Sequence, residues 1–466
     1  MRLLRAACFL SLVLVPACSD EPLGTTTGTT TSTGTTATTS SGGSGGSGAS
    51  AGDGGAGAGA GSGGIAGSGG SAGGTAGSGG TSAGGSGGAA TGGGGIGGTG
   101  GTGGSTTSST TTTTSTTTTT TGGGDGGTLL LVAGGIPNSL AQTGVWTEAA
   151  GWAKGNVNVQ FKEAALARTD TGALAAFRRL SNNPPMGDDE LYRATWSAGG
   201  GFVGLQTMGA FAKDGPVLAP HGVATLLAAL DPQNKHVFAQ YEAGAFGAFG
   251  AVPGGMPGSQ AFGPSGPGVA GYGVAGVYLS YSGDDEGIYL SLKAGPGSVW
   301  TPSQKVPASS VVNAHSPALA VDGADDLHLF YVRKADGRVC TVTLVTPQNS
   351  WVAEAAIHTD AITSQSPSAA ALAGGELLVA WHGFDNNGIY FSRRTAGVWS
   401  APVTVEEPAM TSSGPVVVAG LGGADAEILY TAGAKLRWAR VTGTTVSFGD
   451  DPGIANVSAL AALVLP

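Results

Sequence analysis

The sequence is poor in the residues that most catalytic and binding chemistries require. Three cysteines, Cys8, Cys18 and Cys340, occur in 466 residues, so no disulfide framework can be built. Charged residues make up 11% of the chain, and the formal net charge is −10. Without a basic surplus to replace phosphate counterions, nucleic acid is excluded as a partner. The six histidines, His221, His236, His315, His328, His358 and His382, show no metal-ligand spacing, and neither HExxH nor a paired CxxC occurs. No metal and no cofactor are therefore expected. The acidic stretches Asp188-Asp189-Glu190 and Asp284-Asp285-Glu286 read as solvated hairpin turns rather than calcium loops. No amphipathic helix of useful length appears.

Glycine is what the chain has in excess, with 88 residues, well above ordinary usage. It is concentrated in residues 18–127, where Gly, Ser, Ala and Thr alternate and a Ser/Thr block runs over 105–121. Large apolar side chains are nearly absent there, so nothing offsets the entropy of ordering the backbone. This stretch reads as a disordered tether, with an r.m.s. span of roughly 55–60 Å. Its GTGGTGG at 98–104 has neither the strand nor the helix that a nucleotide loop needs.

Residues 1–17 form a leader. Arg2 and Arg5 precede an apolar run of ten residues, 6–15, half the length a membrane-spanning helix needs. The sequence Val15-Pro16-Ala17-Cys18 resembles the lipobox of bacterial lipoproteins. The resemblance implies cleavage before Cys18, lipidation of its thiol and a membrane anchor of several acyl chains. With Ser19 next, it places the protein at the outer membrane of a bacterial envelope. Cleavage after Ala17 and simple secretion is the alternative.

Residues 128–466 repeat. Pro216, Pro267, Pro317, Pro367 and Pro415 open similar segments at intervals of 51, 50, 50 and 48 residues. Phe177, Leu230, Tyr281, Tyr331, Trp381 and Tyr430 mark the end of a β-rich run in the same period. A third register follows a turn, as in GDDEGIYLSL and DNNGIYFSRR. A fourth is an aromatic series, Trp146, Phe202, Phe249, Trp300, Trp351, Trp399 and Phe448. Four short strands per 50-residue unit predict an all-β propeller. Six units are complete, and TLLLVAGG near 128 and SALAALVLP at the C-terminus remain. Joining them in one blade hides both sheet edges, so seven blades are expected, one split between the termini. Six blades with an extension is the alternative.

The segment GIYFSRRTAGVWSAPVTV at 388–405 and SPALAVDGADDLHLFYVRKADGRV at 316–339 resemble blades of sialidase-like (BNR-type) propellers and of bacterial fucose-binding propeller lectins. Ser392, Gly397 and Trp399 fit the sialidase Asp-box, but Arg394 stands where its Asp belongs. The resemblance implies two function classes. One is a non-catalytic binding module for a glycan or a protein partner. The other is a sialidase-like glycoside hydrolase, which needs an arginine triad, for which Arg168, Arg178, Arg193, Arg333, Arg393 and Arg437 could serve, and acid/nucleophile motifs that are not intact here. An architectural surface lipoprotein is a third. Saccharides are held by an aromatic on their C–H face and by polar neighbours on their hydroxyls. The units over 312–406 combine both. Tyr331, Arg333, Asp336, Trp381, His382 and Asp385 are accordingly the expected ligand-binding residues.

Overall fold

The thirty-two described strands belong to seven antiparallel sheets. In this computed structural model the described residues are 107–110, 117–120, 127–135, 140–180 and 189–465, apart from 257, 309, 313–314, 347, 410–413 and 434. The leader, Cys18 and most of the tether lie outside them. Each sheet is one blade of a seven-bladed propeller. Blade 1 is the split one: Val457–Leu465 is its first strand, followed by Thr128–Gly135, Ala141–Thr147 and Gly151–Val157. The last strand of the chain pairs with Thr128–Gly135 along its whole length.

Blade 2 runs from Phe161–Thr169 to Gly201–Ala212, and blade 3 opens with Asp214–His221. Blade 4 comprises Gly268–Tyr272, Gly276–Ser282, Ile288–Lys293 and Gln304–Lys305. Blade 5 comprises Ala318–Val321, Leu327–Val332, Val339–Val345 and Ser350–Ala356. Blade 6 has Ser368–Ala371, Leu377–His382 and Ile389–Thr395, with Val398–Trp399 and Val403–Glu406 outermost. Blade 7 runs from Val416–Ala419 to Thr445–Phe448. On the axis side of blade 5, Thr107–Thr110 and Thr117–Thr120 form a hairpin, and Ser109 and Thr110 pair with Ala320 and Leu319.

The repeated prolines sit where a strand can spare a donor. Pro267, Pro317, Pro367 and Pro415 immediately precede a first strand. Pro216 falls inside one, at a register shift between Asp214 and Val217. One register from the sequence needs correction. Trp146 lies in a third strand and pairs with Trp152 of the fourth, as Trp196 pairs with Phe202 in blade 2. Trp152 is therefore the true equivalent of Phe202, and the two tryptophans six residues apart disguise it.

The core is not central but divided among the seven gaps between blades. Each of seven apolar clusters draws on two neighbouring blades and on no others. Second strands are consequently apolar on both faces. Leu327, Leu329 and Tyr331 pack toward blade 4, while Phe330 packs toward blade 6. Asp189, expected in a solvated turn, is instead buried, where it accepts from Arg178 Nη1 at 3.0 Å and pairs with Lys162 at 2.7 Å.

Two outcomes follow from this packing. Leu463 is fully buried in the gap between blades 1 and 2, so Leu463→Asp is expected to cost about 3–5 kcal/mol as an unpaired buried charge. Asp at Val274, which is 97% exposed, should be silent; equal melting temperatures for the two variants would contradict the closed ring. His236 is buried against Tyr281, ring centroids 4.5 Å apart, and burial pushes its pKa down to about 3. Between the ordinary His value and 3, the unfolded chain takes up a proton that the native chain refuses. Stability is thus lost as pH falls through that window. Relative to His236→Phe, wild type should weaken by up to ~1.4 kcal/mol per pH unit, and a pH-independent difference in thermal unfolding would refute this.

Candidate functional site

The second-strand aromatics all face the preceding blade: Phe177 toward blade 1, Tyr281 toward blade 3, Tyr331 toward blade 4, Trp381 toward blade 5 and Tyr430 toward blade 6. This alternation splits the six expected ligand residues. Tyr331, Arg333 and Asp336 lie at the gap between blades 4 and 5. Trp381 and Asp385 lie one gap further on, between blades 5 and 6. His382, next along the strand, turns to the other face of blade 6. It is 3% exposed, neither ring nitrogen has a hydrogen-bond partner among the described residues, and burial lowers its pKa.

The first group is closed on itself. Tyr331 is 2% exposed and donates its hydroxyl to Glu354. The Arg333 guanidinium forks onto Asp336 with bonds of 2.9 and 2.6 Å, and its third nitrogen reaches Glu354 at 2.8 Å. Arg338 adds a second cation at 2.7 Å from Asp336. The arginines hold the Asp336 carboxyl well below its usual range, to about 2. A bidentate guanidinium–carboxylate pair is among the strongest polar contacts a protein makes. Three of the five N–H groups of Arg333 are thus held by carboxylates of its own blade, and the group is tied together within blade 5. Behind it Cys340 is buried in the blade, and burial raises its thiol to about 12, so it carries no reactive thiolate.

The second group opens onto a cleft of about 500 Å³, within the range that takes a small ligand. Its walls come from the linker after blade 5 (His358, Asp360, Ile362), from the end of the second strand and its turn (Trp381, Gly383, Phe384, Asp385, Asn386) and from Tyr390 and Pro402. Trp381 itself is 1% exposed, so only its edge reaches the cleft. The accessible ring is Tyr390, which pairs in register with Trp381 and stacks on it, with centroids 6.1 Å apart and planes at 25°. The Tyr390 hydroxyl donates to Glu407 at 2.6 Å and accepts from Asn386. Burial and that carboxylate push its pKa up to about 12.

Gly383 makes this geometry possible. A Cβ there would stand 2.8 Å from the Tyr390 ring, too close for any side chain unless the ring moved. Phe384, 60% exposed, supplies an apolar rim. Asp360 and Asp385 supply negative charge, and among the described residues no Lys or Arg lines the cleft. Sequence reasoning missed Tyr390, Gly383 and Phe384. The signal available was the tripeptide Gly-Ile-Tyr, which follows an acidic turn in both blade 4 and blade 6.

No protein-family model matches this chain, and no curated protein is significantly similar to it in sequence. Solved structures are similar to it at low identity. The lectin BP39L from Burkholderia pseudomallei is 15% identical with a TM-score of 0.54, covering 70% of this chain and 95% of its own. AofleA from Arthrobotrys oligospora is 14% identical with a TM-score of 0.45, covering 65% and 88%. The Aleuria aurantia lectin, solved in complex with Fucalpha1-6GlcNAc, is 15% identical with a TM-score of 0.42, covering 61% and 92%. The similarity to BP39L is one of fold, and it covers 70% of this chain, which is a seven-bladed β-propeller.

Proposed function

We propose that this protein is a surface-tethered, non-catalytic binding module whose ligand is a neutral saccharide held in the cleft between blades 5 and 6. A shared fold does not carry function. The observation that carries this reading is the cleft itself, with a partly exposed tyrosine backed by tryptophan, an apolar rim at Phe384 and carboxylates at the mouth. An aromatic face suits the C–H side of a sugar, and carboxylates accept from its hydroxyls. Asp360 and Asp385, with no lining cation, repel sialic and uronic acids.

The hydrolase reading finds less support. Arg178, Arg333 and Arg393 stand in three different blades, and each is already paired with carboxylates. They do not converge on a substrate carboxylate. The anchor rests on Cys18 and the tether, which would hold the propeller at some distance from a membrane.

Two experiments test these parts. A panel of neutral methyl glycosides, with N-acetylneuraminic and glucuronic acids alongside, should give binding only among the neutral members. Tyr390→Ala should then lose affinity about tenfold, or ~1.4 kcal/mol, with little change in melting temperature. Trp381→Ala, by contrast, should cost ~3–5 kcal/mol of stability. Unchanged affinity in the folded Tyr390→Ala protein, or preferential binding of the acids, would overturn the reading. For the anchor, Cys18→Ser should move the protein from the detergent-extracted membrane fraction to the soluble one. Wild type recovered as soluble protein with an unmodified N-terminus would contradict it.

A further inference from the structure

We propose that blade 4 carries a second copy of the blade 6 cleft, so that one chain holds two saccharides at once; this rests on the reading of the blade 6 cleft as a saccharide site. Between blades 3 and 4 lies a cleft of about 550 Å³. Its lining residues Gln260, Phe262, Tyr281 and Gly283 stand 100 positions before Asp360, Ile362, Trp381 and Gly383 of the blade 6 cleft, and Asp285 and Tyr289 stand 101 before Asn386 and Tyr390, the blade 6 turn being one residue longer. Two whole repeats therefore separate two similarly built sets of walls, with Lys305 lining the blade 4 cleft in addition.

The geometry repeats as well as the sequence. Tyr289 pairs in register with Tyr281 and stacks on it, centroids 5.4 Å apart and planes at 13°. Its hydroxyl donates to a carboxylate, Asp285, at 3.0 Å, which Lys305 holds in place from 2.5 Å. A Cβ at Gly283 would stand 2.6 Å from the Tyr289 ring, the same demand that Gly383 meets for Tyr390. The apolar rim is kept but moved: Asp284 replaces Phe384 in the turn, and exposed Phe262 and Met256 appear in the linker.

Two positions govern the pattern: the residue two past the second-strand aromatic, and that aromatic's partner on the third strand. Blades 4 and 6 have Gly and Tyr there. Blade 5 has Arg333 and Cys340, and the guanidinium is paired with Asp336 and Glu354. Blade 7 has Ala432 and Arg437. Blade 2 has Arg179 and Tyr192, with the guanidinium 5.7 Å over the ring and a smaller cleft of about 350 Å³. The full combination therefore occurs in blades 4 and 6. Two sites on one rigid ring raise the effective concentration of a polyvalent glycan at the second site once the first is filled.

Calorimetric titration of the full chain with the tightest-binding methyl glycoside from the neutral panel tests the proposal. Wild type should bind two molecules per chain. Gly283→Ala and Gly383→Ala should each leave one, and the double variant none, because the added methyl displaces the tyrosine. Neither glycine adopts a left-handed φ, so the backbone tolerates alanine. Tyr289→Ala and Tyr390→Ala, which only shorten partly exposed side chains, provide the same comparison should a glycine variant fail to fold. One molecule per chain, with Tyr289→Ala silent, would overturn the second site and leave the blade 6 reading standing. Failure of wild type to bind any glycoside would overturn both.

Discussion

Everything in this propeller depends on the flat apolar faces that neighbouring blades press together. No blade can bury both its faces alone, and the seven clusters are each shared by two blades. Burial of a large side chain stabilises by about 1.5–3 kcal/mol, and Trp381, Tyr430, Phe177, Phe330 and Phe391 are all fully buried in these gaps. The ring must therefore close, and a blade shared between the chain's two ends is the closure. Direct bonds between repeats reinforce it. Ser316 N donates to Ser366 Oγ at 3.2 Å, and Val417 N to Ser368 Oγ at 2.8 Å, each spanning about one repeat.

The clefts lie where that packing stops. The second-strand aromatic ends the apolar face, and whatever lies beyond it decides whether a gap is sealed or open. Where an arginine follows and finds carboxylates, as Arg333 finds Asp336 and Glu354, the gap is sealed by a charge network. Where glycine follows and tyrosine stands opposite, the ring is held upright by a carboxylate and leaves a cleft beside it. The same backbone therefore makes clamps and clefts by exchanging two residues per blade.

This division explains what could be read in advance. The 50-residue period, the strand-initial prolines and the complementary terminal strands are one-dimensional features, and they carried the fold, including the split blade. The Trp146 register failed because Trp146 and Trp152 lie close enough in sequence to mimic one another. Of the expected ligand residues, Trp381 and Asp385 line the cleft between blades 5 and 6, whereas Arg333 and Asp336 pair with each other and His382 lies on the other face. Which residues share a gap depends on strand alternation and pairing register. Tyr390 matters because it lies opposite Trp381, and Gly383 because a ring lies over it; neither relation is visible along a single strand.

The central claim is that saccharide is recognised on third-strand tyrosines exposed by glycine. Nuclear magnetic resonance of the nine tyrosines, selectively labelled and followed during titration with the neutral glycosides, tests it most directly. The account predicts saturable shifts at Tyr390 and Tyr289, with Tyr331 and Tyr430, sealed beneath their carboxylate bonds, unmoved. Shifts confined to other tyrosines, or none at saturating ligand, would contradict it.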